Sequence, residues 1–276
     1  MCAPPDDEPG RLTLRRTFDE DAVRYDRARP AYPEALFDDL ALGARLAPGS
    51  RVLEIGSGTG QATMPLARRG YAVCAVELGA RMAEVARAKL APFPSVEVVA
   101  AAFEDWPLPA APFDVVLAAT SFHWIDPEVR LVRTAAALRP GGALAVISTH
   151  HVAGGSARFF DEVQACYEAW MPGTEPGLRL PAAGDVPTGC TELAAGGLFE
   201  RAVARRYEID VEYSTAAYLE VLRTYSGHLA LEPAGRLGLL DCIARLIDDR
   251  FGGQVVKRYL FELAVAFSAS EPGVDA

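Results

Sequence analysis

The chain reads as an α/β protein built on a doubly wound, mostly parallel seven-stranded sheet with a late antiparallel strand. Three observations predict it. From residue 51 to about 148, short runs rich in Val, Leu and Ala alternate with longer segments of helical period, the pattern of β-α-β units. Runs such as "FDVVLAA" are apolar without alternation, as strands buried on both faces are. The first of these runs, "VLEIGSGTG", passes into alternate glycines, which is how a strand turns into a helix around a bound small molecule.

The elements follow in order. Both ends, "MCAPPDDEPG" and "SASEPGVDA", have the polar, Pro/Gly-rich composition of loose termini. "DEDAVRYDRARPAYPEALFDDLALGARL" supplies one or two covering helices broken at Pro30 and Pro33. Strands are predicted at Arg51–Ile55, Ala72–Val76, Val96–Val99, Phe113–Ala118 and Ala143–Ser148, with helices at Gln61–Arg69, Ala80–Leu90 and Pro127–Leu138. "RPGG" stops the last helix and turns the chain.

After residue 150 the pattern changes to a helix at Ala157–Trp170 and then an exposed Pro/Gly-rich loop over 172–190. "FERAVARRYEIDVEY" reads as a strand, "STAAYLEVLRTYSG" and "EPAGRLGLLDCIARLIDDRFGG" as helices, and "QVVKRYLFELAVAF" as a closing strand. If the two late strands join the sheet edge as a hairpin, the helices between them form a lid. The expected organisation is an N-terminal tail with covering helices (1–45), a ligand-binding core (46–213), a helical lid (214–252), and a closing strand with tail (253–276).

Half of the 276 residues are hydrophobic, enough for a full core. A net charge of -10 with no basic block would repel a phosphate backbone, which argues against nucleic acid and for small molecules. The start lacks a basic segment followed by an apolar one, and no apolar run approaches the ~20 residues of a membrane span. A soluble, cytoplasmic monomer or homodimer with no membrane contact is therefore expected. Cys2, Cys74, Cys166, Cys190 and Cys242 are odd in number and show no CxxC spacing, so reduced thiols are expected rather than a disulfide framework or a zinc site. The chain has 25 arginines but only two lysines, Lys89 and Lys257, a bias that fits a GC-rich coding sequence and from which no function is read.

In open parallel sheets, ligands bind beyond the carboxyl ends of the strands where strand order reverses, and "EIGSGTG" belongs at such a point. Gly56 and Gly58 permit positive φ and close approach of a ligand, and Gly60 lets the following helix start near the strand. A dinucleotide loop wants glycine at positions 56, 58 and 61, but position 61 is Gln. Glu54 just before the turn also suits a positively charged ligand better than a pyrophosphate.

"VLEIGSGTG" followed by "AVELGARM" resembles the glycine loop and second-strand acid of S-adenosylmethionine-dependent methyltransferases with the Rossmann-like fold, over residues 15–150. The resemblance implies S-adenosyl-L-methionine as cofactor, held by Glu54, Gly56, Ser57, Gly58 and Gly60. Glu77 would accept both ribose hydroxyls, and Leu78, backed by Met82, would lie against the adenine. The family often has an Asp after the third strand for the adenine amino group. Here "AAFEDWPLP" has Ala102 at that place, leaving the backbone of Ala102 and Phe103, or Glu104, to read the adenine edge.

The fourth strand ends in "AATSFHWID", where the family holds the methyl donor, so Thr120 and Ser121 join the cofactor set and Trp124 walls the acceptor pocket. His123 is a candidate general base, as are His150, His151 and His228, because an imidazole titrates near neutrality. "RYDRARPAYP" resembles a segment that folds over the donor's methionine end. Tyr25, Arg29 and Tyr32 are its candidate binding residues, with Arg29 a partner for the methionine carboxylate. Tyr218 and Tyr225 are candidate acceptor contacts in the lid, as is the aromatic Trp170. Each of these side chains also has an ordinary packing reading.

Methyl transfer is an in-line displacement that calls for alignment and exclusion of water, and no metal is required. No Asn-Pro-Pro-Tyr type motif follows the fourth strand, which argues against amide or adenine nitrogen as the target. Trans-aconitate methyltransferases resemble this chain in the glycine turn and the "HW" pair, but Arg27 and Arg29 alone do not make a tricarboxylate site. The preferred expectation is methylation of O, N or C of a small molecule, a secondary metabolite by preference. The alternatives are a donor-binding protein with a non-methylating reaction or a non-catalytic role, and a nicotinamide oxidoreductase.

Overall fold

The structure, a computed structural model, describes residues 8–194 and 197–269. The loose ends expected at 1–7 and 270–276 lie outside those residues. Residues 8–10, placed by their composition in a loose end, instead open the first helix, α1 (Glu8–Thr17). A 3-10 turn leads to α2 (Ala22–Ala28), capped by the Asp21 side chain accepting from Arg24 N. Pro30 and Pro33 keep the next stretch out of helix, and α3 (Glu34–Gly43) follows directly.

The alternating part then runs β1 (Arg51–Ile55), α4 (Thr63–Arg68), β2 (Ala72–Glu77), α5 (Ala80–Leu90), β3 (Val96–Ala100), β4 (Phe113–Ala119), α6 (Arg130–Ala137) and β5 (Leu138–His151). The rest comprises α7 (Ala157–Glu162), α8 (Gln164–Trp170), α9 (Cys190–Ala194), β6 (Val203–Ser214), α10 (Thr215–Leu222), α11 (Ser226–Leu229), α12 (Pro233–Arg250) and β7 (Gln254–Phe267). The seven strands form one mixed sheet in the order β3-β2-β1-β4-β5-β7-β6, parallel from β3 through β5 with the late strands antiparallel.

Three local expectations are corrected. The "RPGG" segment is not a turn between elements. Leu138 already pairs with Phe113, the register shifts, and pairing resumes at Ala143 opposite Val115, so these residues form an irregularity inside a longer β5, with Gly141 at φ +68°. The helix expected over 157–170 breaks at Val163 into α7 and α8. Within the expected 172–190 loop a 3-10 turn forms at Ala183–Asp185, and α9 begins at Cys190.

The chain divides into two compact units. The first comprises residues up to Pro30, His150–Pro187 and Glu208–Leu260; the second comprises Ala31–Thr149, Thr188–Tyr207 and the residues from Phe261 onward. β5, β6 and β7 contribute residues to both.

The second unit holds the parallel strands and a core of Leu53, Ile55, Val76, Phe103, Phe113, Val116, Phe122 and Leu144, all nearly inaccessible. Burial on both sheet faces explains why β1 and β4 read as unbroken apolar runs. Glu262 is 1% exposed there and is neutralised by Arg206 Nε at 2.7 Å and by the Gly189 N–H at 2.7 Å.

In the first unit, α8 packs on α12, α10 on α12 and α2, and α1 on α11. Cys166 and Cys242 form a disulfide joining α8 to α12, which corrects the expectation of reduced thiols for these two. They lie 76 residues apart, and only the packing of the two helices brings their Cα atoms to 5.8 Å. Cys74 and Cys190 are free thiols, and burial raises the pKa of each.

Candidate active site

The site in the second unit starts from strand register. Ile55 pairs with Val76, so Gly56 leaves β1 beside Glu77, the last residue of β2, which still pairs with Ala100. The Gly56 and Ser57 N–H groups both donate to Val76 O, at 2.8 and 3.3 Å, folding the turn back over the end of β2. Gly56, Gly58 and Gly60 all adopt positive φ, +66°, +56° and +80°, which side chains disfavour. At Gly56 a Cβ would also lie 2.6 Å from Ser121 Cβ, so this glycine is required twice over.

Glu77 holds the turn from below. Its Oε2 accepts the Gly58 N–H at 2.7 Å and its Oε1 accepts the Gly79 N–H at 2.8 Å. A carboxylate offers about four acceptor sites, and these two donors use one on each oxygen. The Ser57 Oγ and Thr59 Oγ1 atoms in the same turn are buried without a hydrogen-bond partner. Buried hydroxyls without partners are costly, and a cradle that leaves them so suits a ligand bringing its own polar groups. These features fit S-adenosylmethionine, whose ribose diol would donate to Glu77.

Glu54 is placed differently from a simple acid facing a cation. It is 1% exposed, it accepts from Thr63 Oγ1 at 2.6 Å, and desolvation, opposed by that bond and reinforced by Glu77, pushes its pKa to about 8. The carboxyl is therefore mostly protonated at neutral pH. A cation arriving above it would favour the charged form, so any negative charge here is developed on binding.

The fourth-strand end closes the other side. Thr120 is a non-glycine residue at φ +56°, a strained conformation for a β-branched side chain. It is held by its N–H to Ile147 O at 2.7 Å and by its Oγ1, 3.0 Å from both Tyr32 Oη and Thr149 Oγ1. Ser121 Oγ donates to Ile55 O at 2.5 Å, tying β4 to β1 where the strand order reverses. Tyr32 thus reaches the strand-end cluster named with the cofactor, while its ring packs edge-on to Phe37 and Phe261.

On the adenine side, Leu78 is half-buried and Met82 is buried at the start of α5. The Ala102 carbonyl already accepts Asp105 N and Trp106 N, and the Phe103 carbonyl accepts Arg133 Nε, so the acceptor groups of this stretch serve its own turn. Phe103 is core, and Glu104 Oε1 accepts Asp126 N at 3.4 Å. His123 and Trp124 lie on a 3-10 turn, their rings 5.0 Å apart, with Trp124 buried.

The remaining candidates belong to the first unit. Arg29 donates to Thr224 Oγ1 and O at 2.9 and 2.8 Å and stacks between Tyr25 and Tyr225, 4.8 and 4.7 Å from their ring centroids. Its guanidinium is thus engaged by α10–α11 residues. Tyr218, Tyr225 and His228 are buried and wall one cavity. His228 Nε2 lies 3.2 Å from Tyr167 Oη, and burial, with nearby Lys257 and Arg29, lowers its pKa to about 3, so it is neutral at physiological pH and a weak base. His150 is half-buried near the end of β5.

The cavity joins one expected candidate base, His151, to a residue given no site role in the sequence, Lys257. His151, named only as a possible base, bonds Tyr225 Oη through Nε2 at 3.3 Å and lies 3.3 Å from Lys257 Nζ through Nδ1. Lys257 is 4% exposed near the start of β7. The signal was a lone lysine, one of two in the chain, interrupting an apolar closing strand.

Comparison with known proteins agrees with this geometry. Residues 53–146 match the family model described as a methyltransferase domain. An uncharacterised methyltransferase of Mycobacterium tuberculosis is 36% identical over 137 residues, 50% of this chain and 54% of the relative. The chain thus spans about half the length of the curated relatives it matches first. A solved structure described as a candidate type II methyltransferase from Anaeromyxobacter dehalogenans superposes with a TM-score of 0.58 at 26% identity, covering 87% of this chain and 97% of that one. Phosphoethanolamine N-methyltransferase 2 of Haemonchus contortus, solved with phosphomonomethylethanolamine and S-adenosylhomocysteine, shares the fold with a TM-score of 0.51 at 17% identity, covering 91% of this chain and 58% of that one. Over residues 53–146 the chain is thus similar to methyltransferase domains, and its fold is that of Rossmann-like methyltransferases.

Proposed function

We propose that the whole chain is an S-adenosylmethionine-dependent methyltransferase that moves a methyl group to O, N or C of a small molecule, with a secondary metabolite as the preferred class. The observation that carries the cofactor is the pairing of a three-glycine turn with Glu77, which binds the turn's own backbone at Gly58. When bound, the cofactor supplies an electrophilic methyl carbon on a sulfonium. The chain's own part is positional. Gly56 and Gly58 admit the ligand, Glu77 fixes its ribose, and Glu54 can release a proton to meet its positive charge. Thr120, kept in a strained conformation by three hydrogen-bonding partners, gives the fourth-strand end one fixed shape.

Gln61 in place of the third dinucleotide glycine, and an acid before the turn, count against a nicotinamide ligand. The test is calorimetric titration of the full chain with S-adenosylhomocysteine and with NAD, followed by a labelled-donor screen of metabolites for products 14 Da heavier. Binding of S-adenosylhomocysteine together with one such product is expected. NAD binding without S-adenosylhomocysteine binding would overturn the reading, and donor binding with no methylated product from a broad screen would favour a non-methylating role.

A further inference from the structure

Within the first unit lies a cavity of about 540 Å³ whose lining includes the aromatic side chains of Phe160, Tyr167, Tyr218 and Tyr225 beside aliphatic and polar ones. Lys257 contributes its amine to that wall while only 4% exposed. The amine sits among the rings of Phe160, Tyr218, Tyr225 and Tyr259, 5.5 to 5.7 Å from each centroid, and its one hydrogen-bonding contact is His151 Nδ1 at 3.3 Å. Among the described residues no carboxylate pairs with it. This departs from ordinary practice, because a buried amine is normally matched by an acid that offsets its desolvation.

The cavity's other ionisable groups do not supply that acid. His151 and His228 carry no negative charge, and Glu175, the one carboxylate lining it, is exposed. Desolvation first, then Arg29, lowers the Lys257 pKa to about 7, as expected of a cation that lacks its counter-charge. Glu262 in the second unit, by contrast, has both Arg206 and a backbone donor.

Shape and chemistry limit the ligand. Aromatic walls favour a flat apolar body, the volume admits a two-ring molecule, and the amine asks for an anionic oxygen. His151 links the amine to Tyr225, whose hydroxyl adds a second polar contact on the same wall. We propose that this cavity is a binding site for a small aromatic acid whose carboxylate or phenolate oxygen pairs with Lys257 Nζ. Naming that acid as the methyl acceptor rests on the reading of the chain as a small-molecule methyltransferase; the binding site itself does not.

The test titrates the full chain calorimetrically at pH 7 with 2-naphthoate, 2-naphthol and the uncharged 2-naphthamide, which share one ring system. 2-Naphthoate, ionised at this pH, should bind at least ten-fold more tightly than the amide; 2-naphthol is itself uncharged at pH 7, so equally tight binding of it would mean that it gives its proton to the amine and pairs as the phenolate. In Lys257→Met the preference should vanish while the amide still binds. The wild-type comparison stands even if that variant fails to fold, and binding of S-adenosylhomocysteine to the same samples tests the methyltransferase reading separately. Equal binding of all three probes, no binding of any, or a preference that survives in Lys257→Met overturns the proposal whatever the cofactor titration shows.

Discussion

Glu77 and Gly58 are joined across adjacent strand ends: the carboxylate Oε2 of the one accepts the backbone N–H of the other at 2.7 Å. The residue expected to hold the cofactor's ribose therefore also holds the turn that approaches the cofactor.

Replacing Glu77 with Ala removes the ribose acceptor and frees the Gly58 and Gly79 N–H groups together. Hydrogen bonds to charged groups contribute about 1.5–3 kcal/mol each, so at least ten-fold weaker binding of S-adenosylhomocysteine is expected by calorimetry. Glu77→Gln should also weaken binding, because its amide NH2 would face one of two backbone donors. Unchanged affinity in both variants would remove Glu77 from the cofactor site.

The glycine turn, Glu77 and the parallel strands were legible in the sequence because each is a local statement: strand period, glycine spacing and an acid at a strand end. β7 was read to the residue from its apolar run, Gln254–Phe267. What was not legible depends on contacts distant in the chain. Nothing in the helical spacing of "QACYEAW" or its surroundings announces that Cys166 meets Cys242, since that depends on how α8 and α12 pack. Lys257 has no local signature, because its lack of an acid partner depends on residues from α7, α10 and β5 that the fold brings around it. Likewise "RPGG" has the composition of a turn, and pairing of Leu138 with Phe113 draws it into the sheet.

Glu54 should make stability fall as pH rises. Its folded pKa of about 8 lies above the ordinary 4.5, so the folded state binds more protons than the unfolded state between those values. Its contribution is fully present below about pH 4.5 and is lost as pH climbs through 8. Glu54→Gln mimics the protonated acid and can still accept from Thr63. Denaturant melts at pH 5, 6, 7 and 8 should show wild type losing ground to the variant by up to ~1.4 kcal/mol per pH unit. A constant difference across the series would place the folded pKa near its ordinary value.

Reduction of the Cys166–Cys242 bond should destabilise the first unit. A cross-link between residues 76 apart removes loop entropy from the unfolded chain, an effect of about 4 kcal/mol in the chain-entropy model. Cys166→Ser with Cys242→Ser, or wild type under dithiothreitol, should melt several degrees below the oxidised protein. A free-thiol titration on the oxidised, denatured chain checks the premise: it should find Cys74 and Cys190 reactive and Cys166 and Cys242 protected. Five reactive thiols would refute the bond in solution.

Binding of an acid at Lys257 should carry a proton with it. The free amine has a pKa of about 7, lowered by burial and then by Arg29. The groups facing it do not titrate between pH 7 and 9: burial lowers His151 and His228 below the ordinary histidine value and raises Tyr218, Tyr225 and Tyr259 above the ordinary tyrosine value. A paired carboxylate favours the ammonium form and raises the lysine pKa in the complex. At pH 8 the free amine is largely neutral, so 2-naphthoate binding should take up roughly 0.9 proton. Calorimetric enthalpies measured in buffers of different ionisation enthalpy read that number directly. Affinity should be flat below pH 7 and weaken by up to about ten-fold per pH unit above it, and Lys257→Gln should abolish both the uptake and the slope. Binding whose enthalpy ignores the buffer and whose affinity is level from pH 6 to 9 would mean that the acid does not meet this amine.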